Sequence, residues 1–180
     1  MYIHGADFST YPMQQMAQRL AQGLSLQIGS SFTGNNNSNT GNSGNGLVTV
    51  TQIMYVGTTT DPNCSAVGAG NCTNHDNFVY SQRISFGNGT LANNNTVTLG
   101  TPSGATINNA GIVQNNVTDS HAKVPDPAQT NLKSLWQVNT GGQTPLVDGQ
   151  TVYVVEGYFQ SPDLSVGSLS GNGVYARYFF

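Results

Sequence analysis

The chain has 180 residues and a formal net charge of −3, from 5 Lys+Arg against 8 Asp+Glu. Charged side chains make up only 7% of it, against roughly 25% in an ordinary soluble domain. With no cluster of Lys and Arg there is no footprint for nucleic acid or for an anionic membrane surface, and both drop out as expected partners.

Hydrophobic residues, at 37%, are enough for the core of a single domain spanning 1–180. The surface must then be built from amides and hydroxyls. Such surfaces repel copies of themselves weakly, because net charge is one of the things that keep proteins monomeric. This composition points to an extracellular or cell-surface protein. The opening residues, MYIHGAD, lack a charged and then apolar leader, so export is expected to depend on a segment not present in this chain. No run is long and apolar enough to span a membrane.

The first predicted element is an amphipathic helix over about 10–26. Ser9 or Thr10 serves as N-cap and Pro12 sits in the first turn, where its missing N–H costs nothing. Met13, Met16, Ala17, Leu20, Ala21 and Leu24 recur at helical spacing and form one apolar stripe. The stripe should cover a sheet or pack on another subunit. Residues 34–46, GNNNSNTGNSGNG, carry no side chain that offsets the entropy of ordering, and read as a flexible surface loop.

From residue 47 onward the period changes to two. Residues 47–56 form a strong strand. Cys64 and Cys72 then stand close together in a turn-rich stretch. A local disulfide is their expected use, worth about 2–3 kcal/mol in the chain-entropy model; the alternative is two free thiols. Residues 78–86 form the next strand, 87–90 a tight turn, and 91–99 a weaker strand interrupted by Asn93, Asn94 and Asn95. The region 100–126 reads as loop. A short helix is expected over 127–138 around Leu132, Leu135 and Trp136. Residues 151–159, TVYVVEGYF, are apolar almost throughout, which predicts a central strand buried on both faces. Residues 173–180 form a last strand. The expected class is α+β: an N-terminal amphipathic helix packed on an antiparallel sheet, with long Asn/Gly-rich loops.

Chemistry-bearing motifs are absent. There is no nucleophile elbow, phosphate-binding glycine loop or His-Glu-x-x-His, so no catalytic, cofactor-binding or metal-ligating residues are assigned and an enzyme is not expected. Asp61 and Asp76 flank the cysteine loop, but their spacing is not that of a calcium loop. Glu156 stands out as the one Glu of the chain, set within an apolar strand. A buried carboxylate must be compensated, so an ion pair with Arg83 or Arg177 is expected; the alternative is a buried general acid or base. The triplets starting at Asn36, Asn63, Asn71, Asn88, Asn94 and Asn116 are candidate glycan acceptors where the cell has the machinery. Trp136 with the tyrosines is the candidate platform of a glycan-binding or adhesin module, the alternative to a structural role.

Several short stretches together resemble a known family. They are Met1-Tyr2 with residues 6–9 and 19–21, residues 46–51 (GLVTVT), the Cys64 to Cys72 loop with Thr73 and Asn74, residues 78–80 with Arg83 and Ile84, residues 153–164 (YVVEGYFQSPDL), and residues 173–177 (GVYAR). Across most of the chain their order resembles TadE-like proteins of the tight-adherence pilus type, and more closely a pilin-like secreted subgroup. Such proteins begin with a membrane-spanning helix, which is lacking here. The resemblance implies a pilin-like fold and a structural subunit of an extracellular filament, with copies of itself as partner and surface glycans or other cells as further contacts. It supplies no active site. Under this reading the assembly candidates are the helix stripe (Met13, Met16, Leu20, Leu24) and the aromatic end (Tyr175, Tyr178, Phe179, Phe180). The end strand either fills a neighbour's groove or is the last core strand of its own domain.

Overall fold

The computed structural model describes residues 15, 16, 19, 38–41, 45–88, 91, 99–108, 110–139, 146–160 and 173–179. The described strands form a five-stranded sheet of β1 (Ser38–Gly41), β2 (Gly46–Val56), β3 (Asn77–Asn88), β4 (Thr151–Gln160) and β5 (Gly173–Phe179), of which β2 to β5 are rich in β-branched and aromatic residues. The order across the sheet is β1-β3-β2-β4-β5. Three of the pairings, β2 with β3, β2 with β4 and β4 with β5, are antiparallel as expected. The fourth is parallel: β1 runs along the far side of β3, with Ser38 opposite Ser85 and Gly41 opposite Asn88. Part of the Asn/Gly tract read as a flexible loop is thus a strand. Backbone pairing needs no apolar side chain, so this strand left no periodic signature.

β2 is the central strand, and a bulge between Gln52 and Ile53 shifts its register on β3. That corrects the expectation for residues 151–159. β4 lies one place out, and only its Val152, Val154 and Glu156 face is fully buried. Its apolar continuity comes from Tyr153, Val155 and Tyr158, which are half-buried.

Because paired residues share a face, the register sorts the core. One face carries Ile53, Phe78, Tyr80, Val152 and Val154, closed over by Leu99, Val113, Ala122 and Val124 and by Ala128 and Leu132 of α2 (Asp126–Asn139). Each such large side chain contributes about 1.5–3 kcal/mol by leaving water. This helix matches the one expected over 127–138. Pro127 sits in its first turn, where no N–H is needed. The opposite face carries Val56 and Val79 against Cys64 and Cys72, with Met54, Val67 and Val117 around them. Cys64 lies on α1 (Pro62–Val67), started by Pro62 after an extended Asp61. The two cysteines form a disulfide, with Cα atoms 5.1 Å apart.

The other expectations fall as follows. Of the helix over about 10–26, Gln15, Met16 and Arg19 are helical; its remaining positions, Met13, Leu20 and Leu24 among them, lie outside the described residues. The weak strand expected over 91–99 is not seen at its described ends, since Leu91 sits in a helical turn and Leu99 in a turn of the chain. Residues 92–98 lie outside the described set. β3 runs on through Gly87 and Asn88, past the start expected for a turn. Gly87 there has φ of 110°, a conformation that costs an L side chain but not glycine. No helix among the described residues is long and apolar enough to cross a membrane.

Candidate functional site: the Glu156 cluster and the two sheet edges

β4 places Glu156 on the same face as the apolar core, but one step beyond it, where the face turns polar. Its direct neighbours in register are Thr49 on β2 and Arg177 on β5. Thr49 in turn faces Ser85 on β3, and the two hydroxyls are 3.1 Å apart. Thr51 faces Arg83. Thr49, Thr51 and Glu156 are all fully buried. A band of hydroxyls, a carboxylate and guanidinium groups therefore crosses four strands beside the apolar core.

Glu156 uses its Oε1 as a hub. The Tyr175 hydroxyl of β5 donates to it at 2.6 Å, and the Leu99 N–H donates to it at 3.1 Å. The Leu99 carbonyl accepts from the Tyr80 hydroxyl at 2.5 Å. One carboxylate oxygen thus fastens β4 to β5 and to the chain segment at Leu99. Burial pushes the Tyr80 phenol well above its ordinary range, so it stays a neutral donor. Burial also lowers the Arg83 guanidinium pKa, and attraction to Glu156 is the largest influence opposing it. The expected partners of Glu156 are therefore both near it: Arg177 directly across β4 and β5, and Arg83 close enough to feel its charge. Its hydrogen bonds among the described residues nevertheless go to Tyr175 and Leu99. Neither was foreseen, and neither could be, because strand register is not written in composition.

The two edges of the sheet differ. The outer side of β3 is covered along its length. At Phe78, the Gln129 side chain of α2 accepts from the N–H at 2.8 Å and donates to the C=O at 2.6 Å. The Val124 N–H donates to the same carbonyl at 3.0 Å. Further on, Val113 N–H donates to Ser81 O at 2.9 Å and Arg83 N–H donates to Gly111 O at 2.8 Å. β1 takes the remainder. Gly111 fits this close approach because it has φ of 79° and a Cβ there would lie 2.6 Å from Arg83 O. Among the described residues, β5 ends the sheet on the other side. There Ala176 is exposed and Tyr178 is 68% exposed. Phe179 is a strand residue whose side chain lies outside the described set, as does the whole of Phe180. Met16 is 46% exposed.

Charge elsewhere is local. Asp148, in the loop leading into β4, accepts from Gly57 N–H at 2.8 Å and from Asn63 N–H and Nδ2 at 2.9 and 3.0 Å. Burial alone would raise its pKa, but these hydrogen bonds outweigh burial and hold it below the ordinary carboxylate range. Asn74, buried, donates to Asn116 O and Asp119 O at 2.8 and 2.7 Å and so ties the disulfide lobe to the 115–119 turn. Asp61 accepts from the Thr58 N–H and hydroxyl. Among the described residues no group of three or more His, Cys, Asp or Glu is arranged to hold a metal.

The candidate glycan acceptors separate by access. Asn71 is exposed, with Nδ2 donating to Val67 O. Asn116 and Asn63 are half-buried, and Asn63 is engaged by Asp148. Asn88 is buried. Asn36 and Asn94 lie outside the described residues, and so does the Trp136 side chain, although Trp136 is a position of α2. No protein-family model, curated protein or solved structure matches the chain.

Proposed function

We propose that this chain is a structural subunit of an extracellular filament or pilus-like surface appendage, acting by self-assembly and not by catalysis. The observation that carries the reading is the exposed Tyr178 on the strand that ends the sheet among the described residues. An exposed aromatic on an edge strand offers apolar area beside backbone groups that a second copy can pair with. The scarcity of charge works in the same direction, since little electrostatic repulsion opposes the approach of a second copy. The buried disulfide suits an oxidising compartment outside the cytoplasm. The sequence resemblance to TadE-like, pilin-like proteins agrees with all three.

Sedimentation velocity at rising concentration, followed by negative-stain microscopy, tests the proposal. Ordered oligomers or filaments are the expected result. A monomer at every concentration would overturn it, and glycan binding by such a monomer would replace it with an adhesin reading.

A further inference from the structure

Among the described residues, four buried side-chain atoms have no hydrogen-bond partner: Asn45 Oδ1, Thr51 Oγ1, Arg83 Nε and Glu156 Oε2. Three of the four belong to the polar band. Thr51 stands directly opposite Arg83 on β3 and opposite Val154 on β4, and Glu156 is the next residue of β4 on that same face. Directly opposed residues lie about 5 Å apart and diagonal ones about 7–8 Å, so Arg83 and Glu156 flank Thr51 from the two sides of β2 on one face of the sheet. Arg83 and Glu156 feel each other's charge, yet they are not among the ion pairs within 4.0 Å, which in the described residues are His75–Asp76, His121–Asp119 and Lys123–Asp126. Two opposite charges thus stand near each other without a direct ion pair, each with one buried and unused atom, beside a hydroxyl that is also unused. Buried polar groups of native proteins are almost always satisfied. Where two of them stand more than about 3.5 Å apart, the usual bridge is an ordered water, which typically makes about three hydrogen bonds.

We propose that a single internal water molecule is bound between Thr51, Arg83 and Glu156. It accepts from the Arg83 Nε–H and the Thr51 hydroxyl and donates to Glu156 Oε2. One water then satisfies all three atoms and closes the charge pair across the central strand. Because Glu156 Oε1 already holds Tyr175 of β5, the water completes a connection running from β3 through β2 and β4 to β5. This inference does not depend on the proposed function.

A crystal structure of the wild-type protein at better than about 1.8 Å, together with one of Thr51→Val, is the test. Wild-type density for one water within hydrogen-bond distance (about 2.6–3.2 Å) of all three atoms is expected, and its loss or displacement in Thr51→Val, which keeps the shape and removes the hydroxyl. Direct contact between Arg83 and Glu156, or a side chain or ion filling the same position, would overturn the proposal. If Thr51→Val does not fold, the wild-type density decides alone. Protein–water cross-relaxation in solution gives the same answer independently: a long-lived water signal at the Thr51 amide is expected, and its absence counts against the site.

Discussion

The two sides of the sheet solve one problem differently. Along β3 the backbone groups that point away from β2 are taken up in turn by Gln129, Val124, Val113, Gly111 and β1. Long stretches of loop are committed to hiding that edge. Among the described residues the sheet ends at β5 on a strand carrying an exposed Ala176 and Tyr178, held to the core by a hydroxyl on a buried carboxylate. Within the described residues one edge is thus covered by loop and helix, and the other carries an exposed aromatic. If copies do pair through β5, the contact is isologous and closes as a two-fold dimer. A filament then needs a second surface, for which the stripe of Met13, Met16, Leu20 and Leu24 is the candidate.

The sharpest way to break the comparison is to cut the hold on β5. Glu156→Ala removes the buried acceptor that the Tyr175 hydroxyl and the Leu99 N–H share, and the negative charge that Arg83 feels. Removing one partner of a buried pair costs about 3–5 kcal/mol, and Arg83, being partly exposed, places the loss toward the lower end. Urea unfolding should show it, with amide exchange rising first along β5 and last along β3. A loss below about 1 kcal/mol would mean that Glu156 is not the hub described.

The next test strips cover from the opposite edge. Gln129→Ala removes the amide that meets both the N–H and the C=O of Phe78. An unsatisfied buried group costs about 1–3 kcal/mol; Phe78 O keeps its bond from Val124, so the lower half of that range is expected. The Phe78 amide should exchange faster by the corresponding factor. Unchanged exchange there would show that the edge is covered by other means.

These sites also show where sequence reading stops. β2, β3, β4, β5 and α2 were legible because alternation and helical spacing are imposed by burial, and the disulfide because two cysteines eight positions apart have few other uses. β1 was not, since it pairs through its backbone within an Asn/Gly tract. Gln129 was not, because a glutamine between Ala128 and Leu132 looks like any polar helix position until the strand edge beneath it is known. Glu156 was flagged as a buried charge needing compensation, but Tyr175 and Leu99 reach it only through a register that no local pattern specifies. Thr49 and Thr51 look outward-facing by polarity and are buried instead.

A milder perturbation is acid. Asp148 holds the loop entering β4 onto Gly57 and α1, and hydrogen bonds depress its pKa in the folded state. A group depressed on folding contributes stability that is fully present above its unfolded pKa, about 3.9, and lost as pH falls through the lower folded value. Stability should therefore decline below about pH 4, and Asp148→Asn should flatten that part of the profile. An unaltered acid limb in the variant would show that other carboxylates set it.

The smallest effect on the monomer should carry the largest consequence for assembly. Tyr178 is exposed, so Tyr178→Lys should change folding stability by no more than about 0.5 kcal/mol. On the assembly reading, however, it puts a charge at the edge where a second copy would dock, and a lysine on an edge strand is a strong deterrent to pairing. Sedimentation should shift toward monomer while the unfolding curve stays in place. The same substitution at Thr130, exposed on α2, is the control, because it adds the same charge away from β5. Equal loss of assembly in both would assign the effect to net charge alone. No loss in either would remove β5 from the contact and leave the helix stripe to carry it.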